Sequence, residues 1–315
     1  MTETALVTGA LGCIGAWTVK ALLDGGVPVV AFDLGEDRSR LELVLSPEEL
    51  ARVTFAPGDV TDLAALERVL DEHEITRIVH LAALQVPFCR ADPALGARVN
   101  VVGTVNVFEA VKRRPGRIPL VAYASSTAVY GPDDPSPAPE SGGLRPATHY
   151  GVYKTSNEGT ARVYFADDGV SSIGIRPYVV YGPGRDQGMT AGPTLAMAAA
   201  ARGEGYEIAY GGRAQYDYAR DVGAAFAAAG RASHTGAGVF NFPGARAHMR
   251  EVVSAIEAAA PEVAGRIAFV DAQLPFPAEL ESDGLEAAVG PLRLTPLAEG
   301  VRETVERFRA LALSR

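Results

Sequence analysis

Residues 4–15 read Thr-Ala-Leu-Val-Thr-Gly-Ala-Leu-Gly-Cys-Ile-Gly. An apolar run ends at Thr8, three glycines follow at positions 9, 12 and 15, and a helix-like pattern takes over at 14–23. Each glycine meets a different demand. Gly9 allows the sharp turn out of a strand. Gly12 removes a side chain where a pyrophosphate must approach the backbone, and Gly15 lets helix and strand pack closely. The helix N-terminus adds unpaired N–H donors and the positive end of a dipole. In strand–turn–helix context the triplet predicts a dinucleotide site. Taken alone it would be only a tight turn.

Outward from this unit, apolar segments alternate with helical ones. Strands are expected at 27–32, 53–56, 77–81, 119–125 and 172–180, and helices from about 61, at 103–113 and at 150–166. Strands that are apolar almost throughout and spaced by helices indicate a parallel sheet covered on both faces, here a Rossmann-type doubly wound α/β fold. After Tyr181 the pattern loosens into GPGRDQGMTAGP at 182–193, with an Ala-rich helix near 194–202. A helix at 219–232 and a strand at 236–242 are expected to return to the sheet. The division read from this is an NAD-binding domain over 1–180, with 215–242 returning to it, and a mainly substrate-binding lobe over 181–315. From about 245 only short elements and Pro-rich joints are expected.

The formal charge is −9, which disfavours nucleic-acid binding, since phosphate neutralisation needs clustered Lys and Arg. Two cysteines, Cys13 and Cys89, cannot build a disulfide framework, and none of the five histidines forms an HxxxH or HExxH pair, so no metal site is expected. Neither a basic leader before an apolar run nor a membrane-length apolar stretch is present. The expectation is a cytoplasmic protein with no membrane or nucleic-acid partner.

Asp33 closes the second strand, 18 residues beyond Gly15. An acid there accepts hydrogen bonds from ribose hydroxyls and repels a 2′-phosphate, which favours NAD over NADP. Arg38 and Arg40 lie close in sequence and would soften that preference. Ser125 and Ser126 follow the fifth strand, at the carboxyl edge where the cofactor crevice lies. Tyr150 and Lys154 stand at i and i+4 and share one helix face. A phenol titrates near about 10, so it needs a neighbouring ammonium to act as a base at neutral pH. Tyr150 can then take the proton of a substrate alcohol as hydride leaves the same carbon, with Ser126 holding the oxygen. Tyr153 falls on another face and is read as packing or a dimer contact.

With VTGALGCIG, Asp33, Gly58-Asp59-Val60, His80-Leu81-Ala82-Ala83, Asn100, Gly103-Thr104, SSTAVYG, YGVYKTSNE, Arg176-Pro177 and YGPGR in one chain, the sequence resembles an extended short-chain dehydrogenase/reductase of the NAD-dependent epimerase/dehydratase type. The resemblance implies a cofactor set of Gly9, Leu11, Gly12, Cys13, Ile14, Gly15, Asp33, Asp59, Val60, Leu81, Ala82, Ala83, Asn100, Tyr150, Lys154 and Pro177. Within it Asp59 and Val60 hold the adenine, Asn100 supports the loop after the fourth strand, and Tyr150 and Lys154 also contact the nicotinamide ribose. His80 reads equally as a strand-end core residue.

The chain also departs from that pattern. Family dehydratases carry an Asp-Glu pair where this chain has Thr127 and Ala128, so dehydration is not expected. Family UDP-sugar epimerases carry an Asn where Val179 stands and an Arg where Ala214 stands, with Arg213 displaced by one. A diphosphate wants fixed, bidentate cations. The remaining polar set is Gln85, Arg90, Ser126, Thr127, Tyr178, Arg185, Gln187 and Thr190, which suits a free sugar, sugar acid or similar polyol. Arg185 or Arg90 would pair with a substrate carboxylate, or each is a solvated surface charge. Cys89 reads as a small pocket wall and Cys13 as packing. The function expected is an NAD-dependent oxidoreductase or epimerase acting on a secondary hydroxyl of such a substrate. A UDP-sugar 4-epimerase and a catalytically idle NAD-binding regulator are the alternatives. A homodimer is expected, with Val105, Phe108, Val111, Val163 and Tyr164 as an apolar face or as core.

Overall fold

In the computed structural model, which describes residues 3–313, the decisive segment opens a seven-stranded sheet. Its strands are β1 (Ala5–Thr8), β2 (Val29–Asp33), β3 (Val53–Pro57), β4 (Arg77–His80), β5 (Leu120–Ala124), β6 (Ser171–Arg176) and a later strand, Ala237–Asn241. They lie in the order β3-β2-β1-β4-β5-β6 with Ala237–Asn241 on the outer edge, and every pairing is parallel. The strand order reverses between β1 and β4. The loops leaving those two strands therefore diverge and open a crevice at the carboxyl edge.

Burial explains the strand composition. All four residues of β1 and all six of β6 are buried, because helices cover both faces. One core, with Val7, Val19, Leu22 and Phe226, fills one face. A second, with Leu6, Leu66, Phe108 and Tyr123, fills the other. Phe108 and Val111 belong to that second core rather than to an exposed face.

The helices are positioned by their ends. Helix Leu63–Glu72 is capped by Asp62, which accepts from Ala65 N at 3.1 Å. Helix His149–Asp168 is capped by Thr148, which accepts from Gly151 N at 3.0 Å, and it stops at Gly169 with φ +70°. Between helices Pro93–Ala97 and Gly103–Lys112 the backbone winds as a π-turn over Arg98–Val102. That extra residue turns Asn100 fully inward.

The expected strand 172–180 is two strands. Pro177, which has no N–H to donate, ends β6, and Val179–Tyr181 (β7) leaves for a different sheet. There β7 pairs parallel with β9 (Arg213–Tyr218), which pairs antiparallel with Ala245–His248. Between them in sequence, β8 (Tyr206–Ile208) pairs with Ile267–Phe269. The return to the main sheet thus begins with helix Ala219–Arg231, not with 215–218. The region beyond 245 also holds more regular structure than its Pro-rich joints suggest, namely helices Met249–Ala259 and Leu297–Leu313. These elements enclose a third core around Tyr178, Met197, Tyr216, Val252 and Val301.

Candidate active site

A cleft of about 580 Å³ runs along the carboxyl edge of the large sheet. Its floor is the Gly9–Gly15 loop. Gly9 has φ +68°, and a Cβ there would lie 2.6 Å from Ala82 N. At Gly15 a Cβ would lie 2.1 Å from Gly9 O. Neither position admits a side chain. Gly12 differs: a Cβ there would meet nothing closer than Gly9 O at 3.2 Å, so its glycine keeps the cleft open rather than the backbone packed. Helix Cys13–Asp24 starts here with no side chain capping it, leaving its first-turn N–H groups directed at the cleft.

At one end, Asp33 accepts from Leu11 N at 3.0 Å and from Gly35 N at 3.2 Å, so its carboxylate ties the end of β2 to the glycine loop. Neither arginine expected near it is free. Arg40 is held by Asp186 at 2.8 Å and donates to Leu11 O, while Arg38 stacks on Phe55 at 3.6 Å. Asp59 accepts from Thr61 N at 2.8 Å, which sets the turn carrying Val60 on the same wall. These groups match the demands of a dinucleotide: an uncapped helix end for a pyrophosphate and an acid at the end of β2 for a ribose.

The β4 loop is set from behind. Thr104 donates its hydroxyl hydrogen to Asn100 O at 2.7 Å, so it can only accept from His80 Nε2 at 3.0 Å. His80 Nδ1 then accepts from Thr8 Oγ1 at 2.7 Å, and Thr8 Oγ1 in turn accepts from Leu81 N and Ala82 N. The ring is the neutral Nε2–H tautomer. Burial lowers its pKa to about 3, with the Lys154 charge adding to the effect. Asn100 does not line the cleft. It fastens the same loop by accepting from Leu84 N at 2.7 Å and donating to Leu84 O at 2.9 Å.

At the other end the fifth-strand serines meet helix His149–Asp168. Ser126, Thr127, Tyr150 and Lys154 all line the cleft. Lys154 is almost fully buried and donates to Ala124 O at 2.7 Å, with Nζ 5.5 Å from the centroid of the Tyr150 ring. Burial lowers the Lys154 pKa to about 8, opposed by Cys89 and Glu158. Burial raises the Tyr150 pKa, while the Ser126 hydroxyl and the Arg185 charge pull it down. Desolvation of the phenol thus prevails, and the groups opposing it are Ser126 and Arg185, where the sequence pointed to Lys154.

Of the expected substrate residues, Gln85, Ser126, Thr127, Tyr178, Arg185, Gln187 and Thr190 line the cleft; Arg90 is exposed and does not. Gln85 sits at the N-cap of helix Val86–Ala91 without capping it, which leaves its amide to the cleft. Cys89 lies behind the wall, donating to Leu84 O, and Cys13 is on the floor with its thiol pushed up to about 12, mainly by burial.

Sequence reasoning missed the group beneath the serines. Glu158 and Arg176, both almost fully buried, form two 2.8 Å bonds, and Glu158 also accepts from Ser125 Oγ. Arg176 donates on to Tyr130 OH at 2.6 Å. The available signal was a Glu one turn after Lys154 on the same helix face.

With this geometry in view, a family model described as the NAD dependent epimerase/dehydratase family matches residues 5–242. Over 317 residues the chain is 32% identical to UDP-glucose 4-epimerase of Mycolicibacterium smegmatis, covering 96% of this chain and 98% of that protein. It is 33% identical over 189 residues to UDP-glucuronate 4-epimerase 6 of Arabidopsis thaliana, covering 57% of this chain but only 40% of that one; the chain spans less than half the length of that plant protein. Among solved structures, the Thermus thermophilus UDP-glucose 4-epimerase in complex with NAD superposes with a TM-score of 0.80 at 27% identity, covering 98% of this chain and 99% of that one.

Proposed function

The chain belongs to the NAD dependent epimerase/dehydratase family, an NAD-using enzyme of the extended short-chain dehydrogenase/reductase type, and on that premise we propose that it oxidises a secondary hydroxyl of a sugar or sugar-acid substrate to a keto intermediate. The observation that carries the reading is the convergence of Ser126, Tyr150 and Lys154 on one wall of the cleft whose floor is the glycine loop. Gly9, Leu11, Gly12, Cys13, Ile14 and Gly15 would hold the dinucleotide phosphates, Asp33 a ribose, and Asp59 and Val60 the adenine. Leu81, Ala82, Ala83 and Pro177 would flank it. When bound, NAD supplies a hydride acceptor and a positive charge.

The chain's own groups do the rest. Tyr150 receives the hydroxyl proton, and Ser126 donates a hydrogen bond to the same oxygen and keeps it in line. Lys154, anchored on Ala124 O, supplies the charge that supports a phenolate. Thr127, Ala128 and Tyr178 line the wall beside the reacting carbon. If the ketone stays and is reduced on its other face, the outcome is epimerisation. If it leaves, the outcome is net dehydrogenation.

The second reading, a UDP-sugar 4-epimerase, is favoured by the names of the relatives matched over nearly the whole chain. A catalytically idle NAD-binding regulator would waste a complete proton-transfer set. The test is incubation with NAD and a panel of free sugars, sugar acids and UDP-sugars, followed by absorbance of reduced nicotinamide and product NMR. Accumulating reduced cofactor means dehydrogenation, and inversion without it means epimerisation. If neither occurs with any compound, the reading is wrong.

The proposed division places NAD on the large sheet, residues 1–180 and the return to it, and substrate against the lobe from 181 onward. A homodimer is also proposed. Leu95, Val102, Val152 and Val163 are 41%, 45%, 49% and 58% exposed on adjoining helices. Of the face read from sequence, Val163 is on this surface. Sedimentation of the wild type against Val152→Glu tests it; a monomeric wild type ends the idea. Among the described residues, no helix is long and apolar enough to cross a membrane.

A further inference from the structure

We propose that the substrate is a hydroxy acid whose carboxylate is received by Arg185, with Gln85 accepting a hydroxyl hydrogen beside it; this rests on the hydride-transfer reading above and narrows its substrate. Three cationic side chains line the cleft: Arg40, Lys154 and Arg185. Arg40 is already held by Asp186, and Lys154 is committed to Ala124 O beneath Tyr150. Arg185 has no ion pair among the described residues. Its Nη2 donates to Thr190 Oγ1 at 3.2 Å, and its Nε is buried with no partner at all. A buried guanidinium donor left unpaired is costly and marks a place where an acceptor is missing.

The acceptor that would satisfy it is anionic and planar, since a guanidinium presents its donors as a rigid fork matched to carboxylates. Its place in the cleft is fixed by the loop it sits on. Gly188 has φ +100°, and a Cβ there would lie 2.2 Å from Gln85 Oε1 and 3.0 Å from Arg185 Nη2. Both groups therefore lie against Gly188, whose missing side chain leaves them room side by side. Gln85 Oε1 is itself buried without a partner, and it can only accept. The pair thus offers donors for a carboxylate and an acceptor for a hydroxyl, which is the polar signature of a sugar acid. Arg185 is also near enough to Tyr150 for its charge to act on the phenol, so the carboxylate would lie close to the reacting carbinol.

The same wall argues against a nucleotide diphosphate. Beyond Arg185 the lining adds Tyr178, Met189 and Phe276 beside the uncharged Gln187 and Thr190, with Phe276 edge-on to the Tyr178 ring at 6.0 Å. Arg213 and Arg246 each approach Glu279 at 3.7 Å and do not line the cleft, and Ala214 is buried. A diphosphate would find one unpaired cation where it wants at least two.

The experiment compares the wild type with Arg185→Leu and Arg185→Lys, all with NAD. The probes are D-glucuronate, D-galacturonate and four- to six-carbon aldonates, set against the matching neutral sugars and polyols and UDP-glucose. Turnover of at least one acid, with the neutral partner much poorer, is expected. For that acid Arg185→Leu should raise KM by roughly 10- to 100-fold, the scale of a charge-assisted hydrogen bond, and Arg185→Lys should recover part of it while the Kd for NAD stays near the wild-type value. Turnover confined to neutral or UDP-linked sugars overturns the inference and leaves hydride transfer standing. An equal loss of NAD affinity in Arg185→Leu also overturns it, by assigning the guanidinium to the dinucleotide. No turnover of any probe removes the hydride-transfer reading and the inference together.

Discussion

Lys154 stands with its ammonium 5.5 Å from the centre of the Tyr150 ring and donates a hydrogen bond to Ala124 O. In the proposed mechanism the carbonyl at the end of β5 thereby holds the charge that supports the phenolate. Burial lowers the pKa of this lysine to about 8, so it is charged below that pH and neutral above it. For the free enzyme, kcat/KM should fall as pH rises through about 8. In Lys154→Arg, whose guanidinium stays charged, that alkaline limb should move upward. A limb at the same pH in the variant would assign it to another group.

Asp33 joins the end of β2 to Leu11 N and Gly35 N, and its proposed role is to accept from a ribose of the dinucleotide. Asp33→Ala should lower the NAD-over-NADP preference by roughly tenfold or more, the scale of hydrogen bonds to a charged group. Cofactor titration by fluorescence checks it. Equal losses for the two cofactors would mean that the carboxylate serves only the loop.

The Glu158–Arg176 pair is buried on both sides. Glu158→Gln leaves a buried guanidinium without its counter-charge, which should cost about 3–5 kcal/mol of stability. Urea unfolding measures this directly, and a loss below about 1 kcal/mol would show that water or a neighbour compensates.

Asp217 lies fully buried in β9, accepting from Tyr178 N at 2.6 Å and from Gln215 Nε2 at 3.3 Å. Burial raises its pKa from 3.8 to about 8, so the folded chain keeps a proton that the unfolded chain has lost across that window. Its stabilising contribution is present at acid pH and falls as pH rises toward about 8. Asp217→Asn keeps a neutral side chain and should flatten that fall in thermal melts taken across the window. An unchanged slope would mean that the carboxyl is ionised in the folded state.

The large sheet was legible because its signals are local. A strand, three glycines and a helix are contiguous in 4–15, and Tyr150 and Lys154 are spaced by a helical turn. What stayed hidden depends on partners far apart in the chain. Pro177 lies inside the run 172–180 expected as one strand, yet it ends β6, and β7 joins another sheet because it finds its partner at 213–218. Glu158 and Arg176 are ordinary surface residue types until the fold buries them together. Phe108 and Val111 repeat at helical spacing, which marks an apolar face but not what covers it; the second core does. Arg90 and Arg185 were equivalent as charges, and only the loop over the cleft separates them.

The central claim is that Tyr150 takes the proton from the substrate hydroxyl. Its most direct test is the turnover of Tyr150→Phe, which keeps the ring and removes the acceptor, measured beside the Kd for NAD on the same preparation. A fall of roughly 10²- to 10⁴-fold in turnover, with NAD affinity largely kept, is the predicted result. Wild-type turnover in the variant would contradict it.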